Sequence, residues 1–185
     1  MILTTDRLIL REFVESDWEA MLAYQQKPLY LRYNSWTDRT PEAVREFLQM
    51  FLDQRQQEPR NKFQLAVTLK ATGELIGNCG VRRNSIKSFE GDIGYELDPE
   101  HWGNGYATEA ARVVLRFGFI EMYLHRITGH CVADNLGSAH VLEKLGMRRE
   151  AHLRENQFYK NRWWDTLIYA ILEEEWRSEN SQPGA

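Results

Sequence analysis

Long apolar runs are missing from this sequence. None of its segments approaches the roughly 20 consecutive apolar residues that a membrane-spanning helix requires. The opening residues, MILTTDRLILREF, contain neither the basic segment nor the apolar core of a secretory signal. We therefore expect a cytoplasmic protein that has no membrane partner.

Cysteine and metal-binding patterns are scarce as well. Cys79 and Cys131 lie far apart in the sequence, and neither belongs to a CxxC pair. The five histidines show no spacing that suits a metal ion. These patterns argue against a disulfide framework and a zinc knuckle, and we expect no metal cofactor.

An excess of positive charge is also lacking. The formal net charge is -4 and the sequence pI is about 5.8, with no block of basic residues. A protein that binds nucleic acid through a broad basic face is therefore not expected. An acidic surface is compatible with a cationic or amine-bearing substrate instead.

What the sequence does contain suits one folded domain. Hydrophobic residues make up 43% of the 185 positions, enough for a sizeable core. Only the final residues, SENSQPGA, have the composition of a loose tail. We assign residues 1–177 to a single domain and residues 178–185 to a flexible C-terminal tail.

Hydrophobic spacing and turn residues predict alternating strands and helices. Alternating and β-rich runs predict strands at residues 7–13, 63–69, 74–81, 92–97, 126–132 and 163–172. Apolar residues at helical spacing predict helices at residues 16–26, 40–57, 105–122 and 137–145. Because an antiparallel hairpin precedes the alternating part, we expect a mixed α/β sheet rather than a doubly wound parallel one.

The segment HWGNGYATEA, residues 101–110, places two glycines directly before a helix. The first four amides of a helix lack intrahelical partners and the helix dipole adds positive potential there, so such ends bind phosphates. Gly103 and Gly105 would let the loop turn sharply without obstructing side chains. An ordinary strand-to-helix turn is the alternative, because GxG alone is a weak signal. Thr108 excludes the GxGxxG dinucleotide fingerprint, and no Gly-Lys-Ser/Thr ending completes a Walker A motif.

Several motifs in order point to a family. RLILREF is followed by IGYELDPEHWGNGYATEA, VADNLGSAHVLEKLGM and WWDTLIYAILEEEW. Together they resemble the GNAT superfamily of N-acetyltransferases, and most closely its RimJ/RimL-type branch, which acetylates the N-terminal amines of ribosomal proteins. The resemblance covers about residues 5–176. It implies the GNAT fold, in which a central, mostly antiparallel sheet with splayed fourth and fifth strands is flanked by helices.

The resemblance also implies acetyl-CoA as the cosubstrate. In the family, main-chain amides of the loop after the fourth strand hold the pyrophosphate, and that loop maps onto Gly103, Asn104, Gly105, Tyr106 and Ala107. Trp102 stands where the family pattern has a basic or amide residue. This departure costs little, because the amides rather than that side chain hold the phosphate.

Further coenzyme contacts follow from the same resemblance. Asn135 matches the family residue that hydrogen-bonds the pantetheine arm. A main-chain N–H near Glu96 or Leu97 would polarise the acetyl carbonyl. Lys144, together with Arg148 and Arg149, is a candidate partner for the 3′-phosphate of the coenzyme.

Three carboxylates are candidates for the general base that acetyl transfer to an amine requires. Asp92 falls where many relatives carry Glu, although its side chain is shorter. Glu96 lies on the same predicted strand with the same parity, so both side chains should project to one face. Glu109, inside the helix after the loop, suits a structural or substrate contact better. The alternative for Asp92 and Glu96 is a solvated or N–H-bonded carboxylate without a catalytic role.

The acid that stabilises the leaving thiolate is less obvious. Many GNAT enzymes carry a Tyr seven residues after the motif Asn, but that position is Leu142 here. Ser138 matches a RimL-like arrangement in which a Ser hydroxyl stabilises the thiolate; its alternative is simple helix-start chemistry. His140 is two residues from Ser138 and cannot form a local dyad with it on a helix.

These expectations combine into an acetyl-CoA-dependent N-acetyltransferase that works by direct attack in a ternary complex. The acceptor is a primary amine, either a ribosomal or other protein N-terminus or a small amine. The first two helices and residues 154–164 should form the acceptor pocket, with Phe158, Tyr159, Trp163 and Trp164 as a substrate wall or as packing residues. The rival hypothesis is a non-catalytic acyl-CoA sensor on the same fold. Similar proteins are commonly dimers, so a homodimer is considered as well.

Overall fold

One eight-stranded sheet organises the chain, as seen in a computed structural model that describes residues 1–83 and 85–180. The strands are β1 (Ile2–Thr4), β2 (Leu8–Arg11), β3 (Lys62–Leu69), β4 (Leu75–Arg83), β5 (Glu90–Leu97), β6 (Arg126–Val132), β7 (Arg148–Tyr159) and β8 (Arg162–Leu172). The α-helices are α1 (Trp18–Gln25), α2 (Pro28–Leu31), α3 (Pro41–Arg55), α4 (Tyr106–Ile120), α5 (Leu136–Lys144) and α6 (Glu173–Asn180).

The sheet is mixed and mostly antiparallel. Its strand order is β1-β2-β3-β4-β5-β6-β8-β7. Every neighbouring pair is antiparallel except β5 and β6, which run parallel. The expected mixed α/β sheet of the GNAT type is therefore confirmed. The extra N-terminal strand β1 makes the parallel pair the fifth and sixth strands rather than the fourth and fifth.

The parallel pair separates along its length. β5 and β6 are in register only at Glu90↔Arg126, Gly91↔Ile127 and Asp92↔Thr128. Beyond these pairs β5 stays bound to β4 as far as Leu97, and β6 stays bound to β8 as far as Val132. The two strands therefore open into a wedge, residues 93–97 on one side and 129–132 on the other, and the expected splay is present.

Helices cover both faces of the sheet. α4 and α5 pack on one face over the larger core cluster, whereas α1 and α3 pack on the other face over a second cluster. α4 buries residues at helical spacing, namely Ala110, Ala111, Val114, Leu115 and Phe119. α3 begins where the sequence predicts, because the Thr40 side chain accepts from the Ala43 amide and Pro41 occupies the first turn.

Four elements were not predicted from the sequence: β1, α2, β7 and α6. β7 is the clearest case, since nearly all of its residues are exposed and it has no buried face to produce an alternating pattern. α6 takes in residues 178–180 of the predicted tail, and residues 181–185 lie outside the described part of the chain. Among the described residues, no helix is both long and apolar enough to span a membrane.

Candidate active site

The loop before α4 depends on two glycines in the left-handed region. Gly103 has φ 78° and Gly105 has φ 80°, the latter as the N-cap of α4. Side-chain-bearing residues rarely adopt such angles. A Cβ at Gly103 would meet no atom within 4 Å, so neighbouring side chains do not fill the space above the loop. Backbone conformation rather than packing therefore requires glycine here.

The loop presents unpaired amides. Within the part of the chain that the structure describes, the amide nitrogens of residues 103–108 have no hydrogen-bond acceptor. The first bond of this turn runs from the Glu109 amide to the Gly105 carbonyl, at 3.0 Å. The positive end of the helix dipole coincides with these amides. This corner therefore has the donors and the potential of an anion site.

Side chains of the loop fold away from these amides. Trp102 Nε1 donates to the Leu97 carbonyl at 2.9 Å, and Asn104 Nδ2 donates to the carbonyls of His101 and Trp102, both at 3.2 Å. These bonds hold the loop against the end of β5. The Arg7 guanidinium lies over the Tyr106 ring, 4.5 Å from the ring centroid.

Glu109 has a structural role in this loop. Its carboxylate accepts from Thr5 Oγ1 at 2.5 Å, from the Arg7 amide at 2.9 Å and from Arg7 Nε at 2.7 Å. Arg7 in turn donates to the Asn104 carbonyl at 3.0 Å. Burial acts to raise the pKa of Glu109, but the bonds from Thr5 and Arg7 outweigh it and lower that pKa. The carboxylate thus fastens α4 and the loop to the β1–β2 turn.

A cavity of about 1000 Å³ connects the loop with both faces of the sheet. It starts at Gly103 and Gly105, passes through the wedge between β5 and β6, and reaches α2 and α3 on the opposite face. Of the predicted coenzyme residues, the cavity is lined by Leu97, Trp102, Gly103, Gly105, Tyr106, Ala107, Asn135 and Lys144. Arg148 pairs with Glu175 and does not line the cavity.

On the α5 side of the wedge, Ser138 has a partner that sequence reasoning missed. Asn135 caps α5 by accepting from the Ser138 amide at 3.2 Å. The Tyr95 hydroxyl lies 3.0 Å from Ser138 Oγ and donates to the Ser138 carbonyl at 2.9 Å. Burial raises the pKa of Tyr95, so its phenol remains a protonated donor. Leu142, in the usual tyrosine position, is buried in the core.

Neither cysteine has the character of a nucleophile. Cys131 lines the cavity, but burial raises the pKa of its thiol, and a hydrogen bond with Ser138 only partly offsets this. Burial raises the pKa of Cys79 to about 12. Thiols in such surroundings stay protonated and unreactive.

Glu96 is the carboxylate that faces the cavity on the α1 side of the sheet. Its Oε1 accepts from Tyr24 OH at 2.7 Å, Gln25 Nε2 at 2.9 Å and Asn78 Nδ2 at 2.6 Å. Its Oε2 accepts from Tyr30 OH at 2.6 Å. All of these donors are neutral, and Glu96 forms no ion pair within the described residues. Its negative charge is therefore stabilised by hydrogen bonds but not neutralised.

Asp92 is in a different situation. It projects from the same face of β5 as Glu96, as predicted, with Gly94 between them. Arg82 Nε donates to its carboxylate at 2.8 Å, and the guanidinium makes a second, shorter contact with it. Arg82 and Glu96 line the cavity, whereas Asp92 does not. Of the three candidate bases, only Glu96 offers an uncompensated charge to the cavity, since Asp92 and Glu109 are paired with arginines and do not line it.

The acceptor pocket predicted from the first two helices and residues 154–164 forms only in part. Of the two predicted helices, α3 supplies lining residues and α1 supplies none. The unpredicted α2 and the segment after it also line the cavity, and residues 154–164 supply only Gln157. Phe158 and Trp163 pack on each other with centroids 5.0 Å apart, and Tyr159 stacks on Trp164 at 5.1 Å. None of these four aromatic residues lines the cavity. The described residues also contain no group of three or more His, Cys, Asp or Glu side chains that could hold a metal ion.

Comparison with known proteins identifies relatives along nearly the whole chain. The family model described as "Acetyltransferase (GNAT) domain" matches residues 7–148. The uncharacterized N-acetyltransferase YnaD of Bacillus subtilis is 37% identical over 178 residues, which cover 95% of this chain and 99% of that protein. The crystal structure of a GNAT-family acetyltransferase from Bacillus anthracis is 33% identical, with a TM-score of 0.82, and the match covers 94% of this chain and 99% of that one.

A more distant structure shares the fold. Spermidine N-acetyltransferase from Vibrio cholerae, solved in complex with CoA and spermine, superimposes with a TM-score of 0.78 at 20% identity. The match covers 93% of this chain and 99% of that one.

We expect Tyr30→Phe to lower stability and to change its pH dependence. The loss of a hydrogen bond to a charged carboxylate costs about 1.5–3 kcal/mol. Burial and the Glu96 charge raise the pKa of Tyr30, so above pH ~10 the unfolded state ionises first and wild-type stability falls. The variant lacks this contribution. Above pH ~10 its free energy of unfolding should therefore fall less steeply than that of the wild type, with a difference in slope of up to about 1.4 kcal/mol per pH unit.

Urea unfolding between pH 8 and 11 measures both effects. Tyr123→Phe is the matched control, because its ring is 75% exposed and its hydroxyl forms no hydrogen bond within the described residues. A Tyr30→Phe protein as stable as the wild type at pH 8 would contradict the Glu96 network.

Proposed function

This chain belongs to the GNAT family of N-acetyltransferases, and we propose that it moves the acetyl group of acetyl-CoA to a primary amine by direct attack in a ternary complex. One observation carries the proposal: a single cavity joins the unpaired amides of residues 103–108, the wedge between β5 and β6, and the uncompensated carboxylate of Glu96. An anion site, a slot for an extended chain and a partner for an ammonium group thus lie in one continuous space.

The loop amides would hold the diphosphate of the coenzyme. Charge-assisted hydrogen bonds contribute about 1.5–3 kcal/mol each, so three or four of them approach the ~8 kcal/mol of a micromolar ligand. The wedge would take the pantetheine arm beside Asn135, with a main-chain N–H near Leu97 directed at the acetyl carbonyl. Lys144 would meet a phosphate group at the outer end of the cavity.

Acetyl-CoA supplies the acetyl group as a thioester, and the chain supplies the groups that handle the proton. An amine attacks only in its neutral form, so its ammonium must first lose a proton. Glu96 takes up that proton, directly or through one water molecule, because it is the predicted base whose charge faces the cavity without a cation. Asp92 is instead bound to Arg82 and does not line the cavity.

The other end of the reaction concerns the leaving sulfur. As the new C–N bond forms and the C–S bond breaks, the sulfur keeps the electron pair, and the second proton that the nitrogen loses on becoming an amide protonates the thiolate, directly or through water. The Ser138 hydroxyl would donate a hydrogen bond to this thiolate. Tyr95 donates to the Ser138 carbonyl, and its hydroxyl oxygen lies 3.0 Å from Ser138 Oγ, so Tyr95 holds the start of α5 and this hydroxyl in place. Because the Ser138 carbonyl accepts its proton and burial raises its pKa, Tyr95 is a positioning residue rather than a proton source.

The acceptor amine can come from two sources, the N-terminus of a ribosomal or other protein or a small amine. Thiol release from acetyl-CoA tests the function with both. We expect free CoA to appear only when the protein, acetyl-CoA and a primary amine are all present, in amounts that match the acetylated amine by mass spectrometry. Coenzyme binding without release on any amine would instead support the non-catalytic acyl-CoA sensor.

The coenzyme loop is tested by Gly105→Val. A branched side chain at φ 80° would deform the N-cap and obstruct the amides, so CoA binding measured by calorimetry should weaken at least about tenfold. Gly73→Val is the matched control, since Gly73 has φ 75° in the β3–β4 turn and does not line the cavity. Equal CoA affinity in the two variants would refute the loop assignment.

The choice of base is tested by Glu96→Gln against Asp92→Asn. Loss of a general base lowers kcat about 10²–10⁴-fold. We expect this loss for Glu96→Gln and a smaller one for Asp92→Asn, measured with saturating acetyl-CoA after circular dichroism has shown that both are folded. Glu96→Asp keeps the charge and should retain more activity than Glu96→Gln. Wild-type kcat in Glu96→Gln would remove Glu96 from the mechanism.

A further inference from the structure

Beyond the wedge, the cavity continues into an arm with an aromatic wall. This acceptor arm lies between the β3–β5 surface and α2, α3 and the segment that joins them, and its aromatic lining residues are Tyr30, Tyr33, Trp36, Phe47 and Phe51. The rings of Trp36 and Phe47 are 6.0 Å apart, and those of Phe47 and Phe51 are 4.7 Å apart. Leu29 and Met50, exposed by 53% and 43%, complete the lining. Such a wall favours an apolar body over a hydrated one.

Two glycines form part of the floor of the arm where it meets the wedge. Gln64, Gly80 and Gly94 are register partners across β3, β4 and β5, and the space over the glycines is taken by the Gln64 side chain at Gly80 and by the Arg82 guanidinium at Gly94. Gln64 is 5% exposed, its Nε2 donates to Asn78 Oδ1 at 2.5 Å, and its Oε1 has no donor within the described residues. Asn78 links it to Glu96. Gln64 and Glu96 thus place two acceptors at the inner end of the arm.

Among the described residues, the arm contains one carboxylate without an ion pair. Glu96 and Asp134 are the carboxylates that line the cavity, and Asp134 is paired with Arg162 at 2.9 Å. The arm also contains Arg32, whose guanidinium lies 5.2 Å from the Tyr33 ring centroid. A second or third ammonium group of a polyamine would meet Arg32 there and no second uncompensated carboxylate within the described part of the chain. One positive charge therefore suits the arm better than several.

We infer that the acceptor is a primary amine with a single positive charge, carried on a bulky apolar group. Its ammonium group would bind Glu96 and Gln64 at the inner end, and its apolar body would pack against Trp36, Phe47 and Met50. The same chemistry is found in a small aralkyl amine and in the first residue of a peptide with a large apolar side chain. This inference rests on the proposed acetyl transfer.

A panel of acceptors in the thiol-release assay tests the inference. Adding apolar groups that enter a hydrophobic pocket changes kcat/KM about 10–200-fold, so 2-phenylethylamine should exceed both ethylamine and spermidine at least about tenfold. Peptides that begin with Phe or with Gly separate the two sources, since a peptide-directed enzyme prefers Phe-peptide to 2-phenylethylamine. A preference for spermidine would overturn the inference and leave acetyl transfer intact. No reaction with any amine would overturn both.

A variant of the wall gives an independent test. Met50→Glu places a second carboxylate in the arm at a partly exposed position, so the ratio of kcat/KM for 2-phenylethylamine to that for 1,5-diaminopentane should fall about tenfold. Leu153→Glu is the matched control, because Leu153 is 40% exposed on β7 and does not line the cavity. The control should keep the wild-type ratio. An unchanged ratio in Met50→Glu would overturn the placement of the apolar body.

Discussion

The separation of β5 from β6 is the constraint on which the rest of the site depends. Parallel strands that are paired along their whole length would close the sheet and divide its two faces. Here pairing stops after Asp92↔Thr128, while β4 and β8 hold the outer edges of the two strands. The sheet can therefore stay open at its centre without leaving the strands unsupported. The cavity exists because of this opening.

The opening brings together groups from opposite faces of the sheet. The amides before α4 and the Ser138–Tyr95 pair lie on the α4–α5 side, and Glu96 with its donors lies on the α1–α3 side. A thioester in the wedge would thus have a hydroxyl near its sulfur and a carboxylate near the incoming amine. Neutral donors around Glu96 stabilise its charge without cancelling it, whereas Arg82 cancels that of Asp92. Asp92 and Glu96 therefore differ in the compensation of their charge, although both project from the same face of β5.

Much of the frame could be predicted from the sequence. The helical spacing in α4, the Thr40-Pro41 start of α3 and the two glycines of the loop are local signals that give local structure. The order of the motifs indicated the family, and the resemblance to that family implied the splayed strands of the sheet. The strand β7 escaped prediction because a strand without a buried face has no hydrophobic period. For Phe158 and Trp163 the sequence left a substrate wall and plain packing open, and the two rings pack on each other at the surface.

By itself the sequence determined the glycine loop, the helix that follows it and the pair of carboxylates on β5, because backbone conformation and side-chain parity are set by near neighbours. Only the tertiary structure decided which carboxylate stays uncompensated. The donors to Glu96 include Tyr24 and Tyr30, more than 60 positions away, and the partner of Ser138 is Tyr95, 43 positions away. Contacts at such separations are fixed by the packing of helices on the sheet, and no local pattern in the chain encodes them.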